Sequence, residues 1–199
     1  VQADEMYQAL INLRKTNPSK KVYAVCSDLC ASAAYYVAAG ADEILANRSS
    51  LIGSIGVLYN GFGFTGAMEK IGISRRMLTA GKYKGFLDPF SAQDVTGRAK
   101  LQTMLNIVHD EFKQSVIKGR GKRLKITDET FSGLFWTGKQ AKEMGLIDSF
   151  GSIRNGFKDK PRVTYSSHDN LFEKITNQLG ASIANTLLSK IGIGQSPFI

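Results

Sequence analysis

A serine and two lysines are the residues in this sequence whose types and spacing best fit acyl-transfer chemistry. Ser32 follows the short β-rich run 22–26 by six residues and opens a small-residue helical stretch, 31–39. At a helix start its hydroxyl would lie near unpaired backbone N–H groups, and the N–H of Ala33 would be available to a developing oxyanion. Serine is also a common helix N-cap, so capping is the simpler interpretation of Ser32 taken alone.

A serine nucleophile needs a general base, and the sequence holds two histidines, His109 and His168. His109 falls within a long amphipathic helix pattern and His168 within a polar segment, so we expect neither to serve as the base. A lysine kept neutral by burial is the chemical alternative. Lys82 and Lys84 both lie in a glycine-flanked loop, and spacing alone does not choose between them.

Composition argues against several other functions. The 199 residues, 43% hydrophobic, indicate one globular domain with a sizeable core. The net charge is +9, but the basic residues are scattered and not interleaved with aromatic ones, so we expect no nucleic-acid partner. Cys26 and Cys30 are too few for a zinc site or a disulfide scaffold; we expect a buried, reduced pair, no metal and no cofactor. No apolar run is long enough to span a membrane, and the start does not resemble a signal peptide.

Alternating helices and strands predict an α/β fold with a largely parallel sheet. A first helix, with Met6, Leu10 and Leu13 on its apolar face, is expected to stop before Asn17-Pro18. A long amphipathic helix is predicted over 92–118 and is expected to end at Gly119. The remaining predicted elements are strands at 22–26, 43–46, 52–59, 75–79 and within 145–148, helices at 31–39, 67–71, from near 137 and at 171–191, a loop at 81–90 and a polar linker from 158.

The segment Gly61–Gly66 fits the G-x-G-x-x-G pattern of dinucleotide-binding loops and follows a predicted strand. The helix after it is short, and no clear βαβ unit carries a ribose-binding acid. We therefore interpret these glycines as loop residues beside a hydrophobic substrate groove.

Three motifs together resemble one known family. They are CASAAYY at 30–36, GSIGV at 53–57 and AGKYK at 80–84, and their order and spacing are similar to those of signal peptide peptidase A, the serine-lysine peptidases of family S49. The similarity extends from about Met6 to Gly151 and includes FWTG at 135–138 and GLID at 145–148.

The resemblance implies a role for each matching residue. Ser32 would be the nucleophile, Lys84 the general base and Ser54 the hydroxyl that orients the lysine amine. Ala33 would supply an oxyanion N–H. The residues around Ser54, namely Gly53, Ile55 and Gly56, become candidates for the substrate groove.

The resemblance also implies a Clp protease/crotonase-like fold and a serine endopeptidase that degrades apolar, extended peptides such as cleaved signal peptides. The family forms homo-oligomeric rings in which neighbouring subunits contribute the serine and the lysine of one site. It is bacterial and held in the inner or cytoplasmic membrane by an N-terminal anchor, with its catalytic domain on the extracytoplasmic side. No such anchor is present in this sequence, and we expect it in the full-length protein.

Two departures from the family pattern keep alternatives open. Ala33-Ala34 replaces the usual Gly-Gly after the nucleophile, which adds methyl groups near the substrate. The strand and Gly-Gly turn that supply a second oxyanion donor would lie upstream of Val1. We therefore expect residues 1–157 to be a peptidase domain without that segment and 158–199 to be a linker and an amphipathic helix. A catalytically impaired assembly scaffold and a crotonase-like acyl-CoA enzyme are the alternative functions.

Overall fold

The structure is a computed structural model that describes residues 1–157, 160–161 and 163. The chain divides into two compact units, Val1–Lys158 and Asp159–Ile199. The helix predicted over 171–191, and almost all of the predicted polar linker, lie outside the described residues. In the part of the chain that the structure describes, no helix is long and apolar enough to cross a membrane.

Helices and strands alternate along the first unit. In chain order they are α1 Gln2–Thr16, β1 Tyr23–Cys26, β2 Leu29–Ala31, α2 Ala33–Ala38, β3 Glu43–Ala46, β4 Leu51–Gly53, α3 Thr65–Lys70, α4 Val95–Arg120, β5 Phe135–Thr137, α5 Gly138–Glu143, β6 Ser149–Phe150 and α6 Ile153–Gly156.

The strands form two three-stranded sheets. One has the order β1-β3-β6 and is parallel throughout, and the other has the order β2-β4-β5, in which β2 and β4 are parallel and β5 is antiparallel to β4. The predicted α/β fold, with mostly parallel sheets and flanking helices, is confirmed. Ala31 pairs with Gly53 at the carboxyl ends of β2 and β4, so the residues that follow these two strands lie side by side.

The core lies between the sheets and the helices α1, α2 and α4. Its fully buried side chains include Tyr35, Ile44, Ile52, Val116 and Leu146. Tyr35 also donates a hydrogen bond from its hydroxyl to the Leu146 carbonyl oxygen at 2.7 Å, which satisfies the polar end of a buried aromatic ring. Helix α2, which begins next to Ser32, is therefore held firmly by its buried face.

The predicted face of α1 is wrong. Met6 and Leu13 are 57% and 47% exposed, whereas Tyr7 is buried. The Tyr7 ring packs edge-on against Tyr36, with centroids 5.5 Å apart, and its hydroxyl donates to the Ser115 carbonyl oxygen at 3.1 Å. The buried face of α1 is therefore the one that carries the Tyr7 ring, whose hydroxyl is hydrogen-bonded. The spacing of the aliphatic residues does not predict this face.

Three other sequence predictions are corrected. The strand predicted at 52–59 stops at Gly53, where φ is +120° and the backbone leaves extended geometry. The strand predicted at 75–79 is absent, because this exposed segment has no partner strand among the described residues. Gly119 does not end the long helix; a side chain there would collide with the Ala39 carbonyl, and the helix instead continues to Arg120 and ends at Gly121, whose φ is +54°.

Candidate active site

Ser32 lies in the turn between β2 and α2 with an unusual backbone conformation. Its φ and ψ are 52° and −123°, a region that residues with a Cβ rarely adopt. Its N–H donates to the Gly53 carbonyl oxygen at 2.9 Å, and its carbonyl oxygen accepts from the Tyr36 N–H at 2.9 Å. Ser32 occupies the N-cap position of α2, but its side chain makes no capping hydrogen bond, so capping does not account for its hydroxyl.

Ser54 occupies the matching position after β4, and its φ is 50°. Its N–H donates to the Leu134 carbonyl oxygen at 2.7 Å. Gly53, just before it, is buried, and a Cβ built on Gly53 would lie 2.8 Å from the same Leu134 oxygen. Only glycine fits at this point, where two backbones approach closely and φ is positive.

A cavity of about 860 Å³ lies beside the two serines. Four of the predicted site residues line it, namely Ser32, Ala33, Ser54 and Gly56. Of the other two predicted groove residues, Gly53 is buried and Ile55 is only 1% exposed, so both support the cavity without lining it. The structure therefore brings the candidate nucleophile, the candidate oxyanion donor and the second serine to one cavity. The Ala33 N–H belongs to the first helical turn, where N–H groups lack partners within the helix.

Tyr36 also lines this cavity, although it was not predicted to be a site residue. Its hydroxyl donates to Asp4 Oδ1 at 3.1 Å and accepts from Ser115 Oγ at 2.9 Å, and its ring stacks on Phe112 with centroids 4.8 Å apart. Burial raises the pKa of Tyr36, and the nearby Asp4 carboxylate raises it further. The only signal in the sequence is that Tyr36 comes four residues after Ser32, one helical turn along.

His109 has a supporting contact near the site. Its Nε2 lies 3.1 Å from the Ile55 carbonyl oxygen, an acceptor, so this nitrogen carries the proton and donates. The ring thus holds the backbone next to Ser54 and is not hydrogen-bonded to Ser32. This arrangement agrees with the expectation that His109 is not the general base. His168 lies outside the described residues.

Lys84 makes no hydrogen bond to Ser32 within one copy of the chain and does not line the same cavity. Its side chain is exposed in the turns that follow Gly81, its backbone N–H donates to the Gly81 carbonyl oxygen at 3.1 Å, and it does not line the cavity. Lys82, two residues earlier, is also exposed, and its Nζ lies 5.3 Å from the centre of the Tyr83 ring. Both lysines are therefore accessible to another molecule.

The cysteine pair is buried and unbridged, as expected. A hydrogen bond to Cys30 and burial raise the pKa of the Cys26 thiol well above its usual range. A thiol held in the protonated form is a poor nucleophile, so Cys26 packs as a small apolar residue of the core.

The glycine pattern at 61–66 forms no nucleotide-binding unit in this structure. No strand directly precedes it among the described residues, and the helix that it enters, α3, has six residues. Phe64 stacks instead on Phe90, with ring centroids 5.4 Å apart. The segment is an exposed loop with an aromatic contact.

Comparison with known proteins identifies the family. The profile of peptidase family S49 matches residues 14–160. The chain is 39% identical to a Na(+)/H(+) antiporter NhaA of Brucella abortus, over 78% of this chain and 21% of that protein. It is 32% identical to the chloroplastic serine protease SPPA of Arabidopsis thaliana, over 76% of this chain and 22% of that protein. It is 25% identical to protease 4 of Haemophilus influenzae, over 89% of this chain and 29% of that protein. The chain thus spans less than a third of each of these relatives.

A solved structure of an enoyl-CoA hydratase/isomerase family member is also similar, at 17% identity over 74% of this chain and 38% of that one. Its TM-score of 0.31 is too low to support an argument. The antiporter name of the Brucella protein describes a chain about five times longer than the matched region and does not transfer. The family profile covers most of the chain, including the three motifs and the cavity serines, and the chain belongs to peptidase family S49.

Proposed function

We propose that this chain is the catalytic part of a serine endopeptidase that degrades extended, apolar peptides such as cleaved signal peptides. The proposal rests above all on Ser32, a strained residue whose hydroxyl does not cap the helix that it opens and which lines a cavity together with Ser54. Strained backbone conformations are concentrated at functional sites, and they persist only where the surrounding structure maintains them.

The proposed reaction is acyl transfer. The neutral amine of Lys84 accepts the Ser32 proton while Oγ attacks the peptide carbonyl carbon, and the Ala33 N–H stabilises the oxyanion. When the C–N bond breaks, the Lys84 ammonium returns the proton to the leaving amine, and water, activated by the same amine, then hydrolyses the acyl ester. The Ser54 hydroxyl accepts a hydrogen bond from the lysine and orients it.

Lys84 would come from a neighbouring copy of the chain. The exposure of Lys84 and its absence from the cavity support this assignment. So do the exposed apolar residues in the segment between Ser54 and Lys84, where Leu58 is 79%, Phe62 76% and Leu78 101% exposed. Exposed apolar patches are typical of interaction surfaces. We therefore propose a homo-oligomer whose active sites are shared between neighbours, located at the extracytoplasmic side of a bacterial membrane.

Covalent labelling tests the dyad directly. The intact protein is incubated with a serine-directed phosphonylating probe at neutral and alkaline pH, and its mass is measured. We expect one adduct in the wild type, none in Ser32→Ala and a strong decrease in Lys84→Ala. Lys82→Ala is the matched control, because it removes the same charge from the same exposed loop two residues away, and it should label normally.

Mixing the two inactive variants tests the shared site. If Lys84 acts on the Ser32 of a neighbour, co-assembly of Ser32→Ala with Lys84→Ala produces some sites that hold both residues, and labelling partly returns. If the dyad lies within one copy, the mixture stays as inactive as its components. That second result would contradict the shared site while leaving the dyad itself intact.

Covalent labelling and a measurement of acyl-CoA binding distinguish the proposed peptidase from the two alternatives. An assembled wild type that forms no adduct at any pH would favour the catalytically impaired scaffold. Stoichiometric acyl-CoA binding that survives Lys84→Ala would favour the crotonase-like enzyme. The proposed peptidase requires both the adduct and its dependence on Lys84.

A further inference from the structure

The cavity next to Ser32 differs in charge from the rest of the chain. The sequence carries 26 lysines and arginines against 17 acidic residues. Yet the ionisable side chains that line the cavity are two carboxylates, Asp4 and Glu111, together with the Tyr36 phenol, and no lysine, arginine or histidine lines it. The charged side chains of this cavity are thus both negative on a strongly positive chain, and the cation at the cavity is the α-amino group of Val1, which also lines it.

One of the two carboxylates is hydrogen-bonded to the Tyr36 hydroxyl. Tyr36 donates to Asp4 Oδ1 at 3.1 Å and is fixed from its other side by Ser115 Oγ at 2.9 Å. After burial, the charges of both Asp4 and Glu111 contribute to the raised pKa of Tyr36. Glu111 makes no ion pair among the described residues. Both carboxylates thus line the same cavity as Ser32, and Tyr36, which holds Asp4, lies one helical turn after Ser32.

Much of the cavity lining is apolar. Val57, Leu58, Ile107, Val108 and Phe112 line it together with Ser32 and the two carboxylates. A volume of about 860 Å³ accommodates the longest protein side chains. A cavity whose lining combines apolar side chains with two carboxylates complements a side chain with an aliphatic stem and a cationic head, which is the structure of lysine and arginine.

We propose that this cavity selects a lysine or arginine at the cleaved position, as the residue whose carbonyl Ser32 attacks. The inference rests on the proposed peptidase function and narrows its substrate class to apolar, extended peptides that carry a basic residue at the cleavage point. Signal peptides contain such a junction, because a basic region precedes their apolar core. Asp4 and Glu111 are the specificity-determining residues, and Tyr36 positions Asp4.

A peptide series tests the selection. The peptides differ only at the cleaved position, which holds lysine, arginine, leucine or norleucine; norleucine has a straight aliphatic side chain like that of lysine but no charge. Each exposed or half-exposed ion pair contributes up to about 1 kcal/mol, which corresponds to a factor of about five. With two carboxylates contributing, we expect kcat/KM for lysine to exceed that for norleucine by about fivefold at low salt. The ratio should fall as salt rises, because both carboxylates are exposed to solvent.

Substitution locates the effect. Glu111→Gln should decrease the lysine-to-norleucine ratio several-fold, and the double variant with Asp4→Asn should bring it close to one. Asparagine still accepts the Tyr36 hydrogen bond, so the packing around the ring is retained. Asp110→Asn is the matched control: it removes one charge from the same helix at the neighbouring position, where Asp110 pairs with Lys113 and does not line the cavity. Its ratio should equal that of the wild type.

Binding separates this inference from the proposed function. Calorimetry with Ser32→Ala measures the affinity for the uncleaved lysine and norleucine peptides without any catalysis. A lysine preference that disappears in the Glu111→Gln background supports the cavity assignment even if no peptide is cleaved, in which case the peptidase proposal fails alone. Equal affinities for the two peptides, or a preference unchanged by both carboxylate substitutions, would overturn the inference whether or not the protein is a peptidase.

Discussion

Ser32 and Ser54 follow directly after Ala31 and Gly53, which lie opposite each other in the parallel pair β2–β4. Both serines have a positive φ, 52° and 50°, and they are the only non-glycine residues in the described part of the chain that do. The register therefore places two strained backbones side by side at the carboxyl ends of neighbouring strands, where α/β sheets commonly hold their ligands. The strained turns set the direction in which both side chains leave the sheet.

This strain predicts a difference between two substitutions that both remove the Ser32 hydroxyl. Ser32→Gly should be more stable to unfolding than Ser32→Ala by about 1 kcal/mol, because relief of the Cβ strain exceeds the greater chain entropy of unfolded glycine. Both variants should be inactive, so catalysis does not enter the comparison. Urea unfolding measures the difference, and equal midpoints with equal slopes would show that the Ser32 backbone is not strained.

Gly53 is predicted to be irreplaceable. In Gly53→Ala the new methyl group would lie 2.8 Å from the Leu134 carbonyl oxygen, with φ at +120°, and we expect a loss of about 2–4 kcal/mol in the free energy of unfolding. Labelling of Ser32 should fall as well, since its N–H is hydrogen-bonded to the Gly53 carbonyl oxygen. Gly63→Ala is the control: no atom lies within 4 Å of its added methyl, so stability should change by less than about 0.5 kcal/mol. Similar losses in the two variants would contradict the prediction.

The sequence predicted those elements whose ends are determined locally. Helix α1 ends at Thr16, before Asn17-Pro18, and α5 begins after Thr137, where the Thr137 and Gln140 side chains form a reciprocal capping box. The prediction of a strand at 75–79 is wrong, because the β-rich composition of this segment does not show whether a partner strand exists. Strand pairing depends on residues far along the chain, and a local pattern does not contain that information.

The same distinction applies to the site. Ser32 was identified at the start of a predicted helix and Ser54 from the family resemblance, and the structure brings them to one cavity. Asp4 and Glu111 were not identified, because they reach the cavity from α1 and α4, which are distant in sequence. Only the fold brings these carboxylates to the same cavity as Tyr36.

His109 is predicted to act by positioning the backbone of the site. In His109→Ala the Ile55 carbonyl loses its 3.1 Å hydrogen bond, which should cost about 1 kcal/mol of stability and decrease the rate of Ser32 labelling several-fold. His109→Gln retains a donor and should recover part of the rate. The rate of Ser32 labelling is measured in the wild type, His109→Ala and His109→Gln proteins under conditions in which the same fraction of each is folded. If alanine and glutamine label alike, the hydrogen bond does not position the site.

Arg120 is predicted to be the main electrostatic support of the fold. Its side chain is fully buried; it donates two hydrogen bonds to the Asp148 carboxylate, each 2.8 Å, and one to the Gly145 carbonyl oxygen at 2.9 Å. Arg120→Met would leave Asp148 without this partner, and we expect a loss of about 3–5 kcal/mol. Lys21→Met, which breaks an exposed pair with Glu43, should cost less than about 1 kcal/mol and serves as the control.

The same pair gives the fold a defined sensitivity to acid. Burial acts to raise the pKa of Asp148, but hydrogen bonds from Arg120 and the Ile44 N–H, with the charges of Arg120 and Arg123, lower it below its usual value. Since the folded-state pKa is depressed, this stabilisation is present above the unfolded pKa of about 3.9 and is lost as pH falls through the folded pKa. Unfolding free energy measured from pH 7 to pH 3 should therefore decline more steeply below about pH 4 in the wild type than in Asp148→Asn. Parallel profiles for the two proteins would mean that Asp148 titrates as it does in the unfolded chain.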